Sequence, residues 1–158
     1  MFDGKFRTPV DKAVKPIGAA LRKTRLTPDH LTILGLLVGI GAAVAIGSGN
    51  LRLGLLLVIL AALPDLLDGA LAKASDTASQ RGAFFDSTVD RITDAFLLGG
   101  IAWYLASEES PHMSLLPFAV MAVSSIISYQ RAKAESLGIE AKGGLMERAE
   151  RIIAICVG

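Results

Sequence analysis

Residues 31–47 read LTILGLLVGIGAAVAIG, seventeen consecutive positions without a charged side chain. As an α-helix they rise roughly 25 Å, close to the hydrocarbon thickness of a bilayer. Thr27-Pro28-Asp29 stands directly ahead of them. Proline suits a first helical turn, and an aspartate favours the positive end of the helix dipole. Gly35 and Gly39 form a GxxxG pair, which permits close helix approach. Further apolar runs cover Leu53 to Leu63, about 83–106, about 113–129 and Ile152 to Val157. Ser48-Gly49-Asn50 reads as a turn, and residues 107–111 as an acidic loop. The fifth run has six residues, far short of the roughly 20 that a span needs. The expected fold is therefore all-α: a polytopic transmembrane helix bundle over 29–158, C-terminally incomplete.

Composition agrees. The 158 residues are 52% hydrophobic, with a mean hydropathy of +0.52, above the usual soluble range. A net charge of +1 gives no global basic character, so no nucleic-acid partner is expected. Cys156 is the only cysteine, which excludes an internal disulfide. His30 and His112 are too few and too far apart for a histidine-based metal site.

Residues 1–28 form a separate, basic segment. Phe6, Val10, Val14, Ile17 and Leu21 recur at helical spacing, among Lys5, Arg7, Lys12, Lys15, Arg22, Lys23 and Arg25. Such an amphipathic helix would lie on an anionic membrane face, and it lacks the apolar core of a secretory signal. Basic residues also gather at Lys73 and Arg81 and again after residue 129, whereas the 107–112 loop has no Lys or Arg. All these basic segments fall on one side of the expected spans. By the positive-inside rule that side is cytoplasmic, so a multi-pass protein of the cytoplasmic membrane is expected, with residues 65–90 open to the cytoplasm.

Four carboxylates, Asp65, Asp68, Asp86 and Asp90, sit at the ends of otherwise apolar helices. Charges at membrane depth cost a few kcal/mol each unless neutralised. Spacings of three and four place each pair on one helix face. A short loop between two antiparallel helices would bring the faces together, and oxygen ligands of this kind favour Mg²⁺ or Mn²⁺ over zinc. Gly69 and Gly82 would let a bulky phosphorylated ligand approach the backbone. Pro64 leaves the carbonyl of Leu60 without its helical partner. Asp94 extends the Asp86/Asp90 face by a turn and reads as a supporting or packing acid.

Written out, the run is Asp65-Leu-Leu-Asp68-Gly69-Ala-Leu-Ala72-Lys73, eight residues, then Gly82-Ala-Phe-Phe-Asp86-Ser-Thr-Val-Asp90. It resembles the CDP-alcohol phosphotransferase signature D-x2-D-G-x2-A-R-x8-G-x3-D-x3-D at every fixed position except Lys73, where the family has Arg. Arg offers a planar fork for phosphate, and Lys only a point charge. The resemblance implies a six-span enzyme, often homodimeric, in which Asp65, Asp68, Asp86 and Asp90 hold two divalent ions. Asp90 would also be the general base on the attacking hydroxyl, with CMP leaving. Substrates would be CDP-diacylglycerol and an alcohol phosphate, among membrane lipids.

The later stretch, Ser128-Tyr-Gln-Arg131-Ala-Lys133 and Gly143 to Arg151, resembles the actinobacterial phosphatidylinositol phosphate synthases. These join CDP-diacylglycerol to inositol phosphate. That resemblance implies an acceptor-phosphate pocket of Ser128, Arg131, Lys133, Arg148 and Arg151. The order Arg-Ala-Lys here replaces the subgroup's usual Lys-Ala-Arg. It also implies a CDP-lipid pocket of Asp29, His30, Leu31, Thr32, Gly69, Lys73 and Ser79. The expected reaction is phosphatidyl transfer to inositol 3-phosphate, in phospholipid biosynthesis. The rivals are a glycerol 3-phosphate acceptor and an inactive membrane scaffold of the same fold. An EF-hand-like Ca²⁺ module is excluded, because the acids do not follow that loop pattern.

Overall fold

A computed structural model describes residues 26–74, 79–108 and 111–139; at 65, 66, 68–70 and 72–74 it describes the backbone alone. Four helices make up these residues: α1 (Pro28–Gly47), α2 (Leu51–Ala74), α3 (Gln80–Glu108) and α4 (Leu115–Ser136). A 3₁₀ turn, Pro111–Ser114, leads into α4, and no strand occurs among the described residues. Residues 1–25 of the basic segment, and the fifth apolar run, lie outside the described residues.

Local chemistry sets the helix ends. Thr27 caps α1: its Oγ1 accepts from the backbone N–H of His30, and the ring of His30 in turn accepts from the backbone N–H of Thr27 at 3.2 Å. This is a capping box with histidine in the usual Glu/Gln position. At the other end Gly49 adopts φ +81°. Its N–H bonds to Ile46 O and that of Asn50 to Ala45 O, both at 2.9 Å, the paired bonds of a Schellman turn. The chain then reverses into α2. Gly138, at φ +75°, ends α4 in the same way, with its N–H on Glu135 O. Ser79 opens α3 by accepting from the N–H of Gly82 at 3.0 Å.

Two helices differ from the sequence expectation in extent. The α2 helix continues through Pro64 to Ala74, so both of its aspartates stand on one uninterrupted helix. The α4 helix runs on to Ser136, which puts Arg131 and Lys133 on its last turns. There Arg131 pairs with Glu135 at 3.2 Å, four residues on.

The α1 helix is central and packs on both α2 and α3. Its buried face carries Gly35, Gly39, Ala42, Ala43, Ala45 and Gly47 along with Leu31, Thr32 and Ile46. Leu34, Leu37 and Val44 point outward, Leu37 being 60% exposed. A soluble helix would bury the large side chains. Small residues inside and large ones outside suit a lipid environment, where helices associate by close packing rather than by escaping water. Among the described residues two helical stretches, Pro28–Gly47 and Pro111–Ser136, are long and apolar enough to cross a membrane.

The glycine pair expected to permit close helix approach does so within the chain. A β-carbon at Gly35 would meet Pro64 of α2 at 3.5 Å, and one at Gly39 would lie 2.8 Å from Cγ2 of Thr93 on α3. Farther along, Gly100 of α3 rests on the backbone of Ala43, and Gly47 on the ring of Trp103. Gly39, Ala43 and Gly47 thus form an i, i+4, i+8 ridge that seats α3 in parallel alignment. These contacts fix the levels of the helices. Residues 32–35 of α1, the segment of α2 around Pro64 and the segment of α3 before Thr93 share one end of the bundle.

Candidate metal and phosphate site

At that shared end a cavity of about 30 Å³ opens between α1, α2 and α3, room for about two water molecules. Thr32 and Gly35 line it from α1, Ala61 and Ala62 from α2, and Val89, Asp90 and Thr93 from α3. Among the described residues, Asp90 is the only carboxylate on its wall. Asp65 stands one turn beyond Ala61 on α2, and Asp68 one turn farther.

The α3 acids form a ladder. Asp86, Asp90 and Asp94 follow at intervals of four on one helix face, each half-buried. The Asp90 and Asp94 side chains are 19% and 17% exposed. Arg91 stands beside them: its Nη2 lies 3.8 Å from Asp90 Oδ2 and 3.7 Å from Asp94 Oδ2. Its other terminal nitrogen, Nη1, donates to Ser128 Oγ on α4 at 2.8 Å. The hydroxyl of Ser128 in turn donates a hydrogen bond to Ser124 O at 2.9 Å. Among the described residues no group of three Asp, Glu, His or Cys side chains gathers as a metal cluster; the side chains of Asp65 and Asp68 are outside that set.

The residues expected at the CDP-lipid pocket are placed as follows. Thr32 is buried, lines the cavity beside Asp90, and its hydroxyl donates to Pro28 O at 3.1 Å. Leu31 is buried. His30 caps α1 through Nδ1. Asp29 pairs with Arg81 of α3 at 3.4 Å, at the rim of the same end. Ser79 is exposed and caps α3. Gly69 and Lys73 are described only as backbone of α2. Of the acceptor-pocket residues, Arg131 and Lys133 are exposed on α4, and Arg148 and Arg151 lie outside the described residues.

Two participants, Arg91 and Arg81, were not among the site residues read from the sequence. Arg91 and Ser128 are separated by 37 residues, and Arg81 and Asp29 by 52. No local period links such pairs. The only signal for Arg91 was a charge inside an apolar span, next to a ligand-type aspartate.

Residues 25–157 match the CDP-alcohol phosphatidyltransferase family. The chain belongs to this family. The transferase is 37% identical over 149 residues to the phosphatidylinositol phosphate synthase of Mycobacteroides abscessus, covering 93% of this chain and 68% of that one. It is 38% identical over 156 residues to the enzyme of that name from Corynebacterium glutamicum, covering 96% and 71%. The fold of the transferase is also similar to the crystal structure of the Mycobacterium tuberculosis phosphatidylinositol phosphate synthase with CDP-DAG bound. That match has a TM-score of 0.84 at 33% identity and covers 92% of this chain and 74% of that one. A second structure of that synthase, in complex with manganese and citrate, gives a TM-score of 0.83 at 34% identity, covering 91% and 70%. The family resemblance read from residues 65–90, the all-helical fold and the transferase activity are thereby borne out. The transferase is an integral-membrane enzyme of CDP-alcohol phosphatidyl transfer, and a silent scaffold is set aside.

Proposed function

We propose that this transferase moves the phosphatidyl group of CDP-diacylglycerol to inositol 3-phosphate, giving phosphatidylinositol phosphate and CMP. The observation that carries the reading is the position of Asp90. It lines one cavity with Thr32, expected at the CDP-lipid side, and connects through Arg91 to Ser128, expected at the acceptor side. Phosphatidylinositol phosphate synthases among the similar proteins support the choice of acceptor.

The donor set fits a divalent cation. Asp86 and Asp90 offer hard carboxylate oxygens one turn apart, half-buried at the end of an apolar bundle, and such ligands suit Mg²⁺ or Mn²⁺. With Asp65 and Asp68 they would hold two ions. When bound, the ions supply positive charge against the pyrophosphate oxygens. Asp90 takes the proton from the attacking inositol hydroxyl. The hydroxyl oxygen bonds to the phosphatidyl phosphorus, the bond from that phosphorus to the CMP oxygen breaks, and CMP departs with the electron pair. Arg131, Lys133, Arg148 and Arg151 supply charge for the acceptor phosphate. Asp29, His30, Leu31, Thr32, Gly69, Lys73 and Ser79 border the nucleotide.

The reading also places the enzyme in the cytoplasmic membrane as a six-span homodimer, its site toward the cytoplasm and residues 1–28 on the inner face. Water-soluble acceptor and CMP then exchange freely while the acyl chains stay in lipid.

Purified enzyme with CDP-diacylglycerol and Mg²⁺ is expected to release CMP with inositol 3-phosphate, and chelation to abolish the release. Release with glycerol 3-phosphate alone would overturn the acceptor assignment. A Lys73→Arg variant restores a bidentate fork and is expected to lower KM for CDP-diacylglycerol by about three- to tenfold. An unchanged KM in steady-state kinetics would remove Lys73 from the nucleotide pocket.

A further inference from the structure

We infer that Arg91 is a positioning residue that sets the catalytic carboxylate Asp90 and ties it to the acceptor side through Ser128. The inference rests on the role of Asp90 proposed above. One end of the guanidinium faces the Asp90 and Asp94 carboxylates at 3.8 and 3.7 Å, and the other is fixed to Ser128 at 2.8 Å. Lysine could not hold both ends, because the separation of the contacts requires a planar fork. The hydroxyl of Ser128 is committed in both directions: it accepts from Arg91 and donates to Ser124 O. In this arrangement Ser128 acts on the site through Arg91.

Stability alone does not account for the residue. Arg91 Nε is buried and has no hydrogen-bond partner among the described residues, and a buried donor left so costs stability. The arrangement does give Asp90 a defined orientation beside the cavity. It also places a cation beside both Asp90 and Asp94, which offsets the repulsion between the two carboxylates. The contact crosses from α3 to α4, so it couples the helix that carries the metal-type acids to the helix that carries Arg131 and Lys133.

The test uses Arg91→Gln, Arg91→Lys, Ser128→Ala and the Arg91→Gln/Ser128→Ala pair, in detergent-purified full chain with CDP-diacylglycerol, inositol 3-phosphate and Mg²⁺. Arg91→Gln is expected to lower kcat about 10- to 100-fold, the scale of a small misplacement of a reacting group. KM for CDP-diacylglycerol should stay within about twofold, because the changed contacts do not bind that substrate. The Mg²⁺ concentration for half-maximal activity should fall, because a cation has left an acidic site. A merely structural residue would lower the folded fraction and move neither kcat per folded molecule nor the Mg²⁺ requirement. Arg91→Lys should lose kcat with an unchanged Mg²⁺ requirement, and this variant carries the test if Arg91→Gln does not fold. Ser128→Ala should lower kcat alone and add nothing in the Arg91→Gln background. Multiplying losses would make Ser128 a direct ligand and overturn the linkage. Wild-type kcat in Arg91→Gln, with activity lost in Asp90→Asn, would overturn this inference and leave the proposed function standing. Full activity in Asp90→Asn would overturn the function itself.

Discussion

An Asp90→Asn enzyme is expected to lose about 10³-fold or more in kcat. General-base catalysis by a positioned side chain contributes 10²- to 10⁴-fold, and Asp90 is assigned a second duty as a metal ligand. The amide is nearly isosteric but cannot accept the hydroxyl proton, and it is a poorer donor to a hard cation. Because Asp90 lies on the wall of a cavity rather than in the packed seam, the variant should remain folded. Its detergent-solubilised melting temperature should match wild type within a few degrees. CMP release above a tenth of the wild-type rate would remove Asp90 from the chemistry. Loss of activity together with collapse of the melting transition would reassign it to structure.

The second large effect concerns the scaffold. Gly100→Val is expected to destabilise the bundle by about 3 kcal/mol or more, since small-to-large changes in a well-packed interior typically cost 1–3 kcal/mol. Here the obstacle is rigid. A β-carbon at position 100 would overlap the main chain of Ala43, including its Cα at 2.8 Å, and a backbone cannot rotate away as a side chain can. Separating α1 from α3 would also open the cavity between Thr32 and Asp90, so activity should fall with stability. Gly99 is the matched control. It is exposed, and a β-carbon there would meet nothing within 4 Å. Gly99→Val should leave the melting temperature nearly unchanged, because valine is no worse than glycine in a helix. Equal effects at 99 and 100 would refute the packing argument.

These two residues illustrate what could be read in advance. Asp90 was visible because its chemistry is written at fixed spacing with Gly82 and Asp86, and because a carboxylate in an apolar segment demands a reason. The start of α1 was legible from Thr27-Pro28-Asp29, since capping acts over a single turn. Gly100 was not legible, because a glycine in an apolar run says only that something passes close, without naming the neighbour. Gly35 and Gly39 carried the same ambiguity: a GxxxG pair serves a second copy or the same chain equally well, and here Pro64 and Thr93 occupy it. The apolar run to about 129 gave the span but not the end of α4, because the helix continues past it into the basic segment of Arg131 and Lys133. The Arg131–Glu135 pair and the Gly138 turn carry the helix two turns into polar sequence. Arg91 depended wholly on tertiary folding, since α4 must return against α3 before its partner exists.

The small-inside, large-outside arrangement of α1 bears on how this protein responds to temperature. In a soluble domain, unfolding transfers apolar side chains into water and raises the heat capacity, which bends the stability curve into a dome. When α1 separates from α2 and α3 within a bilayer, the mostly small residues of its buried face, and the apolar side chains they pack on, meet acyl chains rather than water. Leu37 and Val44 change neighbours hardly at all. The hydration term that gives ordinary cores their curvature is nearly absent from this step. Cohesion of the three helices should therefore vary almost linearly with temperature, with no cold-weakened limb, and follow the order and thickness of the surrounding lipid.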